Sequence, residues 1–140
     1  MYVQENRIFL GRFRANKDLL EELTELCKKE GIKLGVFSVI GAVTCAKLGY
    51  YKQDEKKYAE CVKLDKKLEI TSCTGNISLL DSNIFVHAHI TLADHNGAAY
   101  GGHLMPGSMI FAAEYYIKEL KGATFERTRD SETGLNLWKL

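Results

Sequence analysis

The residues best suited to chemistry are three histidines, His87-Ala88-His89 and, a little further along the chain, His103. Imidazole is the commonest metal-ligating side chain near neutral pH. Within a β-strand, side chains at i and i+2 point to the same face, about 7 Å apart along the strand. Two imidazoles at that spacing can converge on one ion. Zinc accepts three imidazoles, and three protein ligands leave a fourth position for water or a small-molecule ligand, which is the catalytic rather than the structural pattern. The spacing therefore points to His87, His89 and His103 as ligands of one divalent transition metal, zinc first among them. His95, the fourth histidine, falls in a turn and is expected to face solvent.

The third ligand depends on hairpin register. Asp94-His95-Asn96-Gly97 is a turn signal. A three-residue loop, His95-Asn96-Gly97, with Gly97 in the left-handed conformation pairs Asp94 with Ala98, and the count then sets His89 opposite His103. Directly opposed residues share a face. A two-residue Asn96-Gly97 loop instead sets His103 opposite Ile90, on the wrong face. Gly101-Gly102 could relax either register. Other chemistries lack their signatures. Gly101-Gly102-His103 has neither the Gly-x-x-x-x-Gly-Lys pattern nor a following helix, and no Gly-x-Ser-x-Gly elbow supports Ser-His-Asp catalysis.

The elements that must position these residues can be traced from the N-terminus. Ile8 to Phe13 reads as a first strand. Asn16 offers a helix N-cap, and Leu19, Leu20, Leu23, Leu26 and Cys27 follow at helical spacing. Acids sit early and lysines late, as the helix dipole prefers, and Gly31 closes the helix. Gly35 to Tyr51 is apolar and rich in small residues, and reads as strand, glycine-interrupted turn, strand, with Gly41 at a bend or a close backbone approach. Lys52 to Lys57 is a charged, solvated turn. Tyr58 to Lys63 and Leu68 to Leu80 are further strands. Ile84 to Ala93 and Ala98 to Leu104 form the histidine hairpin, and Pro106-Gly107 breaks the chain. Ser108 to Leu120 suits helix or strand; its β-branched and aromatic residues favour strand. Asp130 to Gly134 reads as a turn, and Leu135 to Leu140 as a last short strand.

Composition bounds the function classes. The chain has 140 residues, 46% hydrophobic and 26% charged, with a net charge of +1 from 19 basic and 18 acidic side chains. That length suits one domain, here 1–140, able to bury roughly two thirds of its unfolded surface without disulfides. A balanced charge argues against nucleic acid as the main partner, since phosphate binding calls for a basic excess. Cys27, Cys45, Cys61 and Cys73 form no Cys-x-x-Cys pair, so they read as free thiols in a reducing cell. No apolar run suits a signal peptide or a membrane span, and the expected location is the cytoplasm.

Several segments resemble the plants-and-prokaryotes conserved domain, PPC. They are Thr74-Gly75-Asn76-Ile77-Ser78, His87-Ala88-His89-Ile90-Thr91-Leu92-Ala93-Asp94 and Gly97-Ala98-Ala99-Tyr100-Gly101-Gly102-His103-Leu104. The opening Gly11-Arg12-Phe13, the helix after it, and Gly41-Ala42-Val43 through Gly49-Tyr50-Tyr51 also fit. The likeness spans roughly residues 5–122, leaving 123–140 as a C-terminal extension. It implies an α/β (α+β) fold, a curved and mostly antiparallel sheet with one main helix, and a homotrimer. In plants the domain follows AT-hook segments with Arg-Gly-Arg-Pro cores. This sequence has none, and its only proline is Pro106, so the DNA-binding label attached to the family does not transfer on physical grounds. The fold also resembles that of acetolactate decarboxylase, a zinc enzyme with histidine ligands, an analogy of fold rather than of activity.

Three functions follow from these residues. One is a trimeric metal-binding protein, regulatory or otherwise. A second is a zinc-dependent hydrolase or lyase acting on a small carbonyl compound, in which the metal polarises the carbonyl or generates hydroxide. That reading needs an acid/base group, and Glu114, set among Phe111, Ala112, Ala113 and Tyr115, is the first candidate, ahead of Tyr100 and Ser108. Apolar surroundings raise a carboxyl pKa; the alternative for Glu114 is a surface or interface salt bridge. The third is a DNA-binding protein, which no basic run or aromatic platform supports.

Overall fold

Helix α1, Leu19–Glu30, forms where the apolar spacing requires it and buries Leu19, Leu23 and Cys27. Its N-cap is Asp18 rather than Asn16. The Asp18 carboxylate accepts from the Glu21 N–H at 3.0 Å, while Asn16 stands two residues earlier in a left-handed turn with φ 61°. Glu21 and Glu22 lie in the first turn, Lys28 and Lys29 in the last, and Gly31 closes the helix in the left-handed region with φ 69°. The computed structural model describes residues 2–59 and 61–139.

The rest is β-structure. The strands are β1 (Val3–Phe13), β2 (Gly35–Gly49), β3 (Tyr51–Lys52), β4 (Lys57–Tyr58), β5 (Val62–Leu64), β6 (Leu68–Leu80), β7 (Asn83–Ala93), β8 (Ala99–Leu104), β9 (Met109–Gly122), β10 (Glu126–Arg129) and β11 (Asn136–Trp138). The strand expected over 58–63 is split between β4 and β5, and its Glu60 lies outside the described residues. β3 and β4 make a separate ribbon around the charged turn, and the others join one sheet in the order β1-β9-β2-β8-β7-β6-β10-β11, with β5 on β2. Every pairing is antiparallel except that of β10 with β6. One helix and a mostly antiparallel sheet is the α+β class read from the sequence.

The segment expected to turn at Gly41 is a single long strand with a bulge. Gly41 has φ 139°, and a Cβ there would meet the Ala112 carbonyl oxygen at 2.1 Å. The small residue therefore serves close backbone approach, not chain reversal. An uninterrupted β2 matters because it holds the curvature. It pairs with β6 along Gly35–Val43 and with β8 at Leu48 and Gly49. β6, β7 and β8 are also neighbours, so β2, β6, β7 and β8 close into a small barrel. Ile77, Ile90, Leu92 and Leu104 on these strands are fully buried, each contributing on the order of 1.5–3 kcal/mol of hydrophobic stabilisation. Alternation puts the residues between them on the outer face. Among the described residues, no helix is long and apolar enough to cross a membrane.

Candidate metal centre

The histidines lie on the outer face of β7 and β8. Val86, Ala88 and Ile90 are buried, so alternation turns His87 and His89 outward together. The hairpin takes the three-residue loop. The Asp94 N–H donates to the Ala98 carbonyl at 3.0 Å, Gly97 has φ 79°, and His89 pairs directly with His103. The loop is fastened from within, since one Asp94 carboxylate oxygen accepts from the Asn96 and Ala98 N–H groups. The glycine pair does not disturb the register, because Ile90 pairs with Gly102 and Thr91 with Gly101.

The three imidazoles converge. Ring centroids are 5.3 Å apart for His87–His89, 5.0 Å for His87–His103 and 5.6 Å for His89–His103. One nitrogen from each lies within 4.8 Å of the other two. A tetrahedral zinc with nitrogen ligands wants neighbouring donors about 3.3 Å apart, so a shift of about an ångström in rotamers would complete the site. His103 Nδ1 is buried with no hydrogen-bond partner among the described residues. Such an orphan is rare unless an ion or water answers it. Burial, followed by the neighbouring His103, Arg127 and His89, pushes His87 down to about 4. Burial, then His89, also lowers His103. Both rings are thus neutral at neutral pH, the form that ligates. Donor set, convergence and protonation state all fit a borderline-soft divalent ion.

The site opens into a cavity of about 850 Å³. Tyr58 stands beside His103, ring centroids 5.3 Å apart, and Tyr51 packs edge-on against Tyr58. Burial, then Tyr51, raises the Tyr58 pKa. Phe85, Met105, Leu135 and Leu137 add apolar wall, and Arg127 lies at the His87 side. Among the described residues no Asp or Glu lines the cavity.

The proposed acid/base residues are elsewhere. Glu114 sits on β9 opposite Arg12 and Ile40, exposed rather than enclosed by its apolar neighbours, and does not line the cavity. Alternation explains the difference: Ala113 takes the buried side, which leaves its neighbour Glu114 outside. Tyr100 is held at the hairpin, donating to the Asp94 carboxylate at 3.0 Å and accepting from Lys66 at 2.6 Å. Ser108 is fully buried at the Pro106-Gly107 corner, where its N–H donates to Asp18. His95 is exposed in its turn. Sequence reasoning missed Arg127 and Arg129. Their alternation in Glu126-Arg127-Thr128-Arg129 was a usable signal, because i and i+2 on a strand share a face.

Comparison with known proteins agrees with this architecture. A metal-containing protein from Archaeoglobus fulgidus is 39% identical, with 99% of this chain and 97% of that one covered and a TM-score of 0.94. A plant- and prokaryote-conserved protein of Pyrococcus horikoshii is 36% identical over 99% of this chain and 95% of its own, with a TM-score of 0.93. The bifunctional protein GlmU of a Synechococcus strain is 32% identical over 130 residues, of which this chain spans only 19% of the length. The family model for the Plants and Prokaryotes Conserved (PCC) domain matches residues 1–121. With that match covering most of the sequence, the chain belongs to the Plants and Prokaryotes Conserved domain family.

Proposed function

We propose that this protein is a metal-binding member of its family, with one divalent transition-metal ion, zinc first among the choices, held by His87, His89 and His103. The observation that carries the reading is the convergence of three imidazole nitrogens within 4.8 Å. The buried, unpartnered His103 Nδ1 supports it, as does the metal content of the Archaeoglobus relative. Bound there, zinc would supply a Lewis-acidic position facing the cavity. The chain's own residues orient the imidazoles through strand pairing and burial, with the Tyr58 ring packed beside His103.

Metal analysis of purified protein tests this, with His89→Ala as the variant because its side chain is exposed. One equivalent of metal per chain in the wild type and loss in the variant is the expected result. Background metal in both would remove the reading.

Assembly as a homotrimer, which the family resemblance implies, is part of the proposal. Ile8, Leu10, Ile40 and Phe111 are large apolar side chains 55 to 77% exposed, and a second and third copy of the chain would cover them. Light scattering that reports a monomer would remove this part. The hydrolase or lyase alternative finds less support, since Glu114 does not line the cavity; Tyr58 is a titratable group beside His103. The DNA-binding alternative finds only Lys56, Lys57, Arg127 and Arg129 at the cavity, and Arg127 is buried.

A further inference from the structure

Arg127 lies outside the part of the chain that matches the family, and its surroundings call for a partner they do not contain. It is only 6% exposed. A guanidinium so deeply buried is ordinarily paired with a carboxylate. Here every acceptor is neutral: Ser78 Oγ takes the Nε–H at 2.8 Å, Asn76 Oδ1 an Nη2–H at 2.7 Å, and the Asn136 carbonyl an Nη1–H at 2.9 Å. Among the described residues no ion pair involves it. The faces of Phe85 and Trp138, at 5.1 and 5.3 Å, hold the guanidinium plane in place. A guanidinium has five N–H donors, so these three bonds leave two without a partner among the described residues.

Position completes the argument. Arg127 lines the same cavity as the imidazoles. Its anchor Asn76 is the direct cross-strand partner of His87, which sets the guanidinium one strand-step from the metal site. Lys56, Arg129 and Lys57, which pairs with Glu55 at 2.7 Å, add positive charge at the cavity wall, and among the described residues no acidic one lines it.

We propose that the cavity binds a small carboxylate with an apolar or aromatic body, its carboxylate seated on the free N–H groups of Arg127. A planar monoanion matches one guanidinium in charge and in fork geometry. Tyr58, Phe85, Met105, Leu135 and Leu137 accommodate the body. The Arg127 contact stands without a metal; the ligand's approach to the imidazoles as metal ligands rests on the function proposed above.

Calorimetric titration of the full chain with benzoate, and with benzamide as its neutral isostere, tests the proposal in metal-free and zinc-loaded protein. Benzoate binds the wild type, benzamide binds at least about tenfold more weakly, and Arg127→Gln weakens benzoate by at least about tenfold, the value of one charge-assisted contact. Arg7→Gln, a cation outside the cavity, leaves benzoate affinity unchanged. Equal binding of benzoate and benzamide, undiminished benzoate binding in Arg127→Gln, or no benzoate binding to either form overturns it. Tighter binding of phenylphosphonate than of benzoate also overturns it, by putting phosphate chemistry in place of carboxylate. If Arg127→Gln fails to fold, the benzoate–benzamide comparison on the wild type decides alone. Arg127-dependent benzoate binding by a protein that takes up no zinc refutes the metal reading only. Zinc lost in His89→Ala alongside benzoate indifferent to Arg127 refutes this one only.

Discussion

Gly75 carries more of the metal site than its lack of side chain suggests, and Gly75→Ala measures how much. The residue lies on β6 between Phe37 on one side and Ala88 on the other. A Cβ placed there would sit 2.1 Å from the His87 carbonyl oxygen and 2.5 Å from Phe37 Cζ. Real Cβ contacts stay beyond 3.0 Å, so β6 and β7 must part by at least 0.9 Å at His87. Phe37 is 4% exposed and packs in the core, so it cannot swing into solvent to make room. Overpacking of this kind costs about 1–3 kcal/mol, and straining a ladder hydrogen bond adds about 1 kcal/mol. For a chain of this size the total lowers Tm by roughly 6–15 °C. The same displacement moves the His87 backbone relative to His103, so zinc affinity should fall by at least about tenfold, as when a ligand's supporting shell is disturbed. Differential scanning calorimetry and zinc titration read the two effects separately. Gly31→Ala is the control: nothing lies within 4 Å of its Cβ, and only the φ of +69° is strained, which costs about 1 kcal/mol and leaves zinc binding intact. A Gly75→Ala protein that melts within about 1 °C of the wild type would refute the steric reasoning.

Other outcomes follow from the same contacts. Asp18 caps α1 through the Glu21 N–H and also accepts from the Gly107 N–H at 2.6 Å and the Ser108 N–H at 3.1 Å. Asp18→Ala should therefore cost about 3 kcal/mol in urea unfolding, against about 1 kcal/mol for a cap alone. Hydrogen bonds from Arg7 hold the buried Glu119 carboxyl below its usual range. A pKa depressed in the folded state gives stability above the unfolded value, lost as pH falls through the folded one. Stability measured against pH should decline below about 4.5, and Glu119→Gln should flatten that decline. Burial pushes the Cys27 and Cys73 thiols up to about 12. At pH 8 iodoacetamide should leave both unlabelled in the native protein while it modifies the half-buried Cys45 and Cys61, as mass spectrometry of peptides would show.

The histidine site was legible because it obeys a period of two and a loop count, both properties of the chain alone. The helix was legible for the same kind of reason, from Leu19 to Gly31. Features set by contacts across the sheet were not. Gly41 reads equally as a bend or a close backbone approach, and only β9 lying against it at the Ala112 carbonyl decides for the second. Asn16 has the right chemistry for a cap, but hydrogen bonding of its N–H to Ile110 fixes it before the helix begins. Glu114 has apolar neighbours in sequence, yet alternation separates their faces. For Arg127 the sequence held only the alternation with Arg129; its surroundings, Asn76, Ser78 and Phe85, come from β6 and β7, far away along the chain.

The three-residue turn between β7 and β8 has a consequence for kinship. Adding or deleting one residue there would change the parity of β8 and send His103 from the outer face into the barrel wall, while the strands could still pair. All three histidines would persist in an alignment, yet the constellation would be gone. Among relatives, then, the number of residues separating the His-x-His pair from the Gly-Gly-His segment is a better guide to which members bind metal than the presence of the histidines themselves.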